Sequence, residues 1–129
     1  MTELPVLDHA VIESLRQLTP PGEPDVLAEV LRMFLHEVPP RIDRLRIAWV
    51  AGNIEEMYRA AHSLKGSAGN IGAQRLFGVC KRLDELGRAG DLTSAAPLLD
   101  ALGIELAKVE AEIHRIIGNS DGLMARYDC

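Results

Sequence analysis

Apolar residues recur every three or four positions along most of this chain, and nowhere do they alternate with polar ones over a useful length. That spacing is the signature of amphipathic helices, and a missing period of two argues against strands. The first stripe is Val11, Leu15 and Leu18. Asp8 is placed to cap it, with Leu7 and Ile12 as a hydrophobic staple across the cap. Thr19-Pro20-Pro21-Gly22 ends it. A second stripe, Leu27, Val30, Leu31, Phe34, Leu35 and Val38, predicts a helix from about 24 to 37. Pro39-Pro40 then predicts a break or kink, because neither proline donates a backbone hydrogen bond. Ile42, Leu45 and Trp49 carry a further segment over 41–50, and Ala51-Gly52-Asn53 is a turn.

Asn53 is placed to cap the next helix, with Glu56 as its capping-box partner. Met57, Ala61, Leu64, Ala68 and Ile71 form a clean buried stripe on it, and Gly72 is suited to a left-handed terminus. Another helix is predicted over about 73–89, with Leu76, Val79, Cys80, Leu83 and Leu86 inward. The last runs over about 94–117, with Pro97 tolerated in its first turn and Gly118 as its stop. Residues 119–129 show little periodicity and read as a loose tail. The sum is one all-α domain over 1–129, with a bundle at about 6–118. Its last four long segments make an up-down antiparallel four-helix bundle, and the first helix lies over it as a cover.

Composition narrows the function classes. Apolar residues are 47% of the 129, enough for a core, while aromatics are only 4%, so that core is aliphatic. A net charge of −5 and no basic patch argue against nucleic acid as a partner. No apolar run approaches the ~20 residues that cross a bilayer, and 1–5 lack the pattern of a signal peptide. Cys80 and Cys129 are too few for a disulfide scaffold or a zinc site, and Cys80 falls on a core stripe. A reduced, cytoplasmic protein is the expectation. His9, His36 and His114 sit among polar neighbours or near helix ends and read as surface residues.

The chemistry concentrates in the helix that carries Ala60 to Gly72. Opposite its buried stripe lie His62, Lys65, Gly66 and Gly69. Histidine offers a neutral ring nitrogen as nucleophile near neutral pH. Lysine at i+3 puts a cation on the same face. Glycine at i+4 costs the helix about 1 kcal/mol against alanine, a cost that fits a surface which something must approach closely. Together these point to phosphoryl transfer at a docking site. A hydrolase or metal enzyme needs a second ligand or a base beside His62. The chain offers no HxxxH, no paired carboxylates and no nucleophilic Ser or Cys with a partner.

Ala61-His62-Ser63-Leu64-Lys65-Gly66-Ser67-Ala68 resembles the signature of histidine-containing phosphotransfer (HPt) domains. Val6-Leu7-Asp8, Phe34, Ala51-Gly52-Asn53 and Leu83-Asp84-Glu85-Leu86 fall in the family's order around it, so the resemblance covers about 6–117. It implies a four-helix bundle that relays a phosphoryl group between receiver-domain aspartates, with no nucleotide site of its own. It implies that His62 accepts the phosphoryl group, through Nε2, and that Lys65 stabilises the transferring charge. Gly66 resembles the small residue that lets the receiver come close, and Gly69 keeps the same face flat. Arg88 matches a position that is basic in some relatives and contacts phosphate or receiver. Asp84, by itself a surface acid, stands where some relatives carry a longer acid or amide that steadies the imidazole. The chain is expected to bind no cofactor or metal, with Mg2+ supplied by the receiver. Its expected partners are response-regulator receiver domains and a hybrid sensor histidine kinase, with no direct membrane contact and a monomeric state. A free-standing carrier and a module from the C-terminal end of such a kinase both fit, the latter as the cytoplasmic portion of a membrane-anchored protein. The alternative reading is a helical protein-binding module that docks a receiver, kinase or other enzyme without transfer.

Overall fold

A computed structural model describes residues 4–127 of the chain, with the side chains of 4–118. Five α-helices follow one another: α1 (His9–Arg16), α2 (Val26–Val50), α3 (Ile54–Asn70), α4 (Gln74–Arg88) and, after a 3-10 turn at Thr93–Ala95, α5 (Ala96–Tyr127). There is no strand among the described residues. Short turns reverse the chain between α2 and α3 and between α3 and α4, so the four long helices run up and down as predicted. Their apolar faces meet in an aliphatic core in which Leu31, Leu45, Met57, Leu83, Leu102 and Ile113 are fully buried. The predicted stripe is buried throughout, with Met57, Ala61, Leu64 and Ala68 on α3 and Ile71 just after its end. No helix among the described residues is long and apolar enough to cross a membrane.

Two local expectations fail. Of the break or kink expected at Pro39-Pro40, the break does not occur: α2 runs through both prolines. Helical prolines deprive the carbonyls of Leu35 and His36 of donors. The apolar stripe continues unbroken across them, however, with Phe34, Val38, Ile42 and Leu45 all buried on one face. His36 and Pro40 lie on the exposed face, where solvent can meet a carbonyl left without a backbone donor. At the other end, α5 continues past Gly118 to Tyr127. A single internal glycine costs about 1 kcal/mol and does not by itself stop a helix. The side chains of the expected loose tail, 119–129, lie outside the described residues.

The cover helix is pinned to the turn between α3 and α4. The Asp8 amide donates to the Gly72 carbonyl at 2.8 Å, and Gln74 Nε2 donates to Asp8 Oδ2 at 2.9 Å. Gly72 has φ of +72°, and a Cβ there would stand 2.9 Å from the Cβ atoms of Asp8 and Val11. Glycine is therefore required twice, for its conformation and for its clearance. At the opposite end Trp49 Nε1 donates to the Leu92 carbonyl at 2.8 Å, tying α2 to the start of the last segment. Arg75 and Glu105 pair at 3.0 Å between α4 and α5.

The seam between α3 and α4 matters most for function. A Cβ on Gly87 would lie 2.4 Å from Tyr58 Cβ and 3.1 Å from its Cα. Only glycine allows the two backbones to approach this closely. The approach sets an antiparallel register in which Tyr58 faces Gly87, His62 faces Asp84 and Gly69 faces Phe77.

Candidate functional site

Burial of Ala61 and Leu64 forces His62 to the outer edge of α3, where its side chain is 60% exposed. Across the seam lies Asp84. It is only 4% exposed and is the one buried charged residue among those described. The reading of Asp84 as a surface acid is thus overturned. The pattern carried a sign of this: Asp84 continues the ridge of Leu76 and Cys80 at four-residue spacing, toward Gly87. Polarity masked its place on the buried face.

A buried carboxylate is costly unless it is paired and hydrogen-bonded. Asp84 is both. Arg88 Nε donates to Oδ1 at 2.9 Å, and Lys65 Nζ donates to Oδ2 at 3.2 Å. His62 Nδ1 stands 3.5 Å from the same Oδ2. Burial pushes the carboxyl upward, but the bonds from Arg88 and Lys65, the Arg88 charge and the His62 contact outweigh it and hold Asp84 below the usual carboxylate range. It is therefore an anion at neutral pH. An anionic acceptor at Nδ1 favours the tautomer with its proton on Nδ1 and turns the Nε2 lone pair outward. Arg88 is itself steadied by stacking over the Tyr58 ring, 5.2 Å from its centroid.

Gly66 lies one turn beyond His62, on the exposed side. A Cβ there would meet nothing within 4 Å, so no packing inside the molecule calls for glycine. Gly69 would meet only Phe77, at an ordinary 3.7 Å. Phe77 is 36% exposed and adds an apolar patch to the strip that runs from His62 past Gly66 and Gly69. On the other flank of α3, Arg41 Nη1 donates to Ser63 Oγ at 3.1 Å and to Ser67 Oγ at 3.2 Å. These bonds from α2 fix the rotation of the helix that presents His62.

All six residues singled out by sequence lie on the α3–α4 face. His62, Lys65, Asp84 and Arg88 form one linked group, while Gly66 and Gly69 extend away from it along α3. Tyr58, Phe77 and Gly87 were missed. Gly87 carried a usable signal, since a glycine three residues after a buried aspartate marks a close helix approach. Phe77 looked like one more apolar position. Among the described residues no group of three or more His, Cys, Asp or Glu is placed to hold a metal ion.

The sequence and the fold have known counterparts. The family model for the Hpt domain matches residues 29–112. The crystal structure of histidine-containing phosphotransfer protein B from Pseudomonas aeruginosa PAO1 is 32% identical, with a TM-score of 0.80 over 88% of this chain and 95% of that one. The HPT domain of a sensor hybrid histidine kinase from Shewanella shares the fold, with a TM-score of 0.72 at 17% identity over 88% of this chain and 95% of that domain. Histidine-containing phosphotransfer protein 2 of Arabidopsis thaliana is 26% identical over 102 residues, which are 77% of this chain and 65% of that protein. Protein 5 of the same plant is 32% identical over 77 residues, 57% of this chain and 48% of that protein. The chain thus spans about half to two thirds of the length of these curated relatives. With the family model matched over more than half its length and a helical bundle to go with it, the chain belongs to the Hpt domain family.

Proposed function

We propose that this protein is a phosphocarrier of a two-component phosphorelay, taking a phosphoryl group onto His62 from a receiver aspartate and handing it to another. The observation that carries this reading is the exposed imidazole of His62, with Nδ1 against buried Asp84 and Lys65 Nζ on the same carboxylate. In the forward step Nε2 attacks the phosphorus of an aspartyl phosphate, and the bond to the aspartate oxygen breaks. Transfer of this kind depends on in-line positioning and on neutralising the equatorial oxygens. Asp84 and the α2–α3 bonds supply the positioning. Lys65 swings its ammonium from Asp84 to the incoming group. A Mg2+ ion held by the receiver supplies the rest of the positive charge. The reverse step regenerates the neutral ring, so the chemistry is symmetric and the carrier needs no nucleotide site.

The docking face is the strip of Gly66, Gly69 and Phe77 beside His62. Its flatness suits a receiver that brings an apolar surface up against its own aspartate. The partners on this reading are receiver domains and a hybrid sensor histidine kinase, met by a monomer in the cytoplasm. A protein that only binds uses the same strip, but it has no use for a nucleophile held with one nitrogen outward.

The test is incubation with phosphorylated receiver domains, with His62→Gln as control. Acid-labile, base-stable phosphate on the wild type and none on the variant supports the relay. A folded wild type that takes phosphate from none of several receivers, yet binds one stably, supports the binding module instead.

A further inference from the structure

The two oxygens of Asp84 hold different partners. Oδ2 takes the Lys65 Nζ bond at 3.2 Å and lies 3.5 Å from His62 Nδ1. Oδ1 takes the Arg88 Nε bond at 2.9 Å. The Arg88 guanidinium also stands over the Tyr58 ring, which packs against Gly87. The family resemblance puts Arg88 on phosphate or receiver. Its bond and its stacking engage it inward instead, on a carboxylate that is only 4% exposed. That matters for Lys65. A buried charge stripped of its partner is strongly disfavoured. Were Lys65 the sole cation on Asp84, its departure to a phosphoryl group would strand that charge. We propose that Arg88 is a positioning residue, the standing counter-charge of Asp84, and that it frees Lys65 to move between the carboxylate and the phosphoryl group.

The inference rests on the relay reading and deepens it. Because the two cations use different oxygens, Lys65 can leave without disturbing the Arg88 bond. Arg88 is the better anchored of the two. It follows Asp84 by one turn on the same helix, the favourable order for an acid and a base at this spacing, and its flat guanidinium suits the aromatic face of Tyr58. Lys65 reaches across the seam from α3 with a compact ammonium on a flexible stem, and its side chain is 25% exposed. Burial raises the Asp84 carboxyl, and the Arg88 bond does most to lower it again, ahead of the Lys65 bond. Two cations on one carboxylate also repel each other, which weakens the hold on Lys65. Without Arg88, Asp84 would hold Lys65 harder, and the phosphoryl group would find its cation less willing to move.

The first readout is Lys65 itself. Acetic anhydride at pH 8 acylates neutral lysine amines, and mass mapping gives the rate at Lys65 against exposed Lys108 on α5. Arg88→Gln should make Lys65 react about threefold to tenfold more slowly, because Asp84 then holds its ammonium harder. A seam merely loosened by the substitution would expose Lys65 and speed the reaction. Arg88→Lys keeps the charge and should restore most of the rate. Tyr58→Leu unseats Arg88 without removing a charge and should slow Lys65 by less; it decides if Arg88→Gln does not fold. The second readout is loading of His62 by phosphoramidate, a small donor that needs no receiver. Arg88→Gln should slow it about tenfold. In an Asp84→Asn background, with no buried charge to balance, Arg88→Gln should change it by less than about twofold. A Lys65 that reacts as fast as in wild type, or faster, in folded Arg88→Gln or Tyr58→Leu overturns the proposal. Equal slowing in both backgrounds also overturns it, because Arg88 then acts on the phosphoryl group directly. Failure of every receiver to phosphorylate His62 counts against the relay alone, since neither readout uses a receiver.

Discussion

At the residue scale, the site is a single buried carboxylate with its partners arranged around it. Lys65 is bound to Asp84 in the resting protein but is 25% exposed, so it is free to move to a phosphoryl group. Charge-assisted hydrogen bonds contribute about 1.5–3 kcal/mol. Lys65→Ala should therefore slow transfer by about tenfold to a hundredfold while leaving the helical circular dichroism unchanged; transfer kinetics from a phosphorylated receiver check this. Asp84 also carries a pH signature. Its carboxyl lies below the ordinary range in the folded protein, so its contribution is complete above the unfolded value of about 4. That contribution fades as pH falls through the folded value. Acid unfolding of Asp84→Asn should be correspondingly less steep below pH 4 than that of wild type. Cys80 offers a contrast: burial pushes its thiol up to about 12, so it should react with alkylating reagents at pH 8 only after unfolding. His62, Lys65 and Gly66 were legible in the sequence because their pattern is local. The burial of Asp84 was harder to read, because its place on the ridge of Leu76 and Cys80 competes with its charge.

At the element scale, two glycines do opposite work. Gly87 lets α4 touch α3 at Tyr58, which brings Asp84 under His62. Gly87→Ala forces a Cβ against the Tyr58 backbone and should cost about 1–3 kcal/mol, measured by urea unfolding. It should also weaken transfer, because the seam opens where Asp84 meets His62. Gly66 touches nothing within the molecule. Gly66→Ala should raise stability by up to about 1 kcal/mol, through helix propensity, yet weaken receiver binding and slow transfer. A glycine kept for the partner's approach predicts that split. A variant as active as wild type would show that the partner does not come close there. The helices themselves were legible from their stripes. The prolines were misjudged because their local cost was weighed without the pull of Phe34, Val38, Ile42 and Leu45 across them. Gly118 was misjudged for the same reason: a residue's local preference is a weak guide inside a long helix.

At the scale of the molecule, the bundle is a rigid stand for one exposed ring. α2 fixes the rotation of α3 through Arg41, and α4 fixes the His62 ring through Asp84. α1 closes the end of the seam at Gly72. The all-helical architecture and the cover helix followed from hydrophobic spacing, because each stripe dictates which face is buried. The links between helices did not, since Arg41 to Ser63 and Asp84 to His62 join positions 22 residues apart in the chain. The most direct test of the account is to find where the phosphate sits after transfer from a phosphorylated receiver, by mass mapping of the residue and NMR of the ring nitrogen. The account predicts His62, bonded through Nε2, with the proton on Nδ1. Phosphate on another residue, or on Nδ1 of His62, would contradict it.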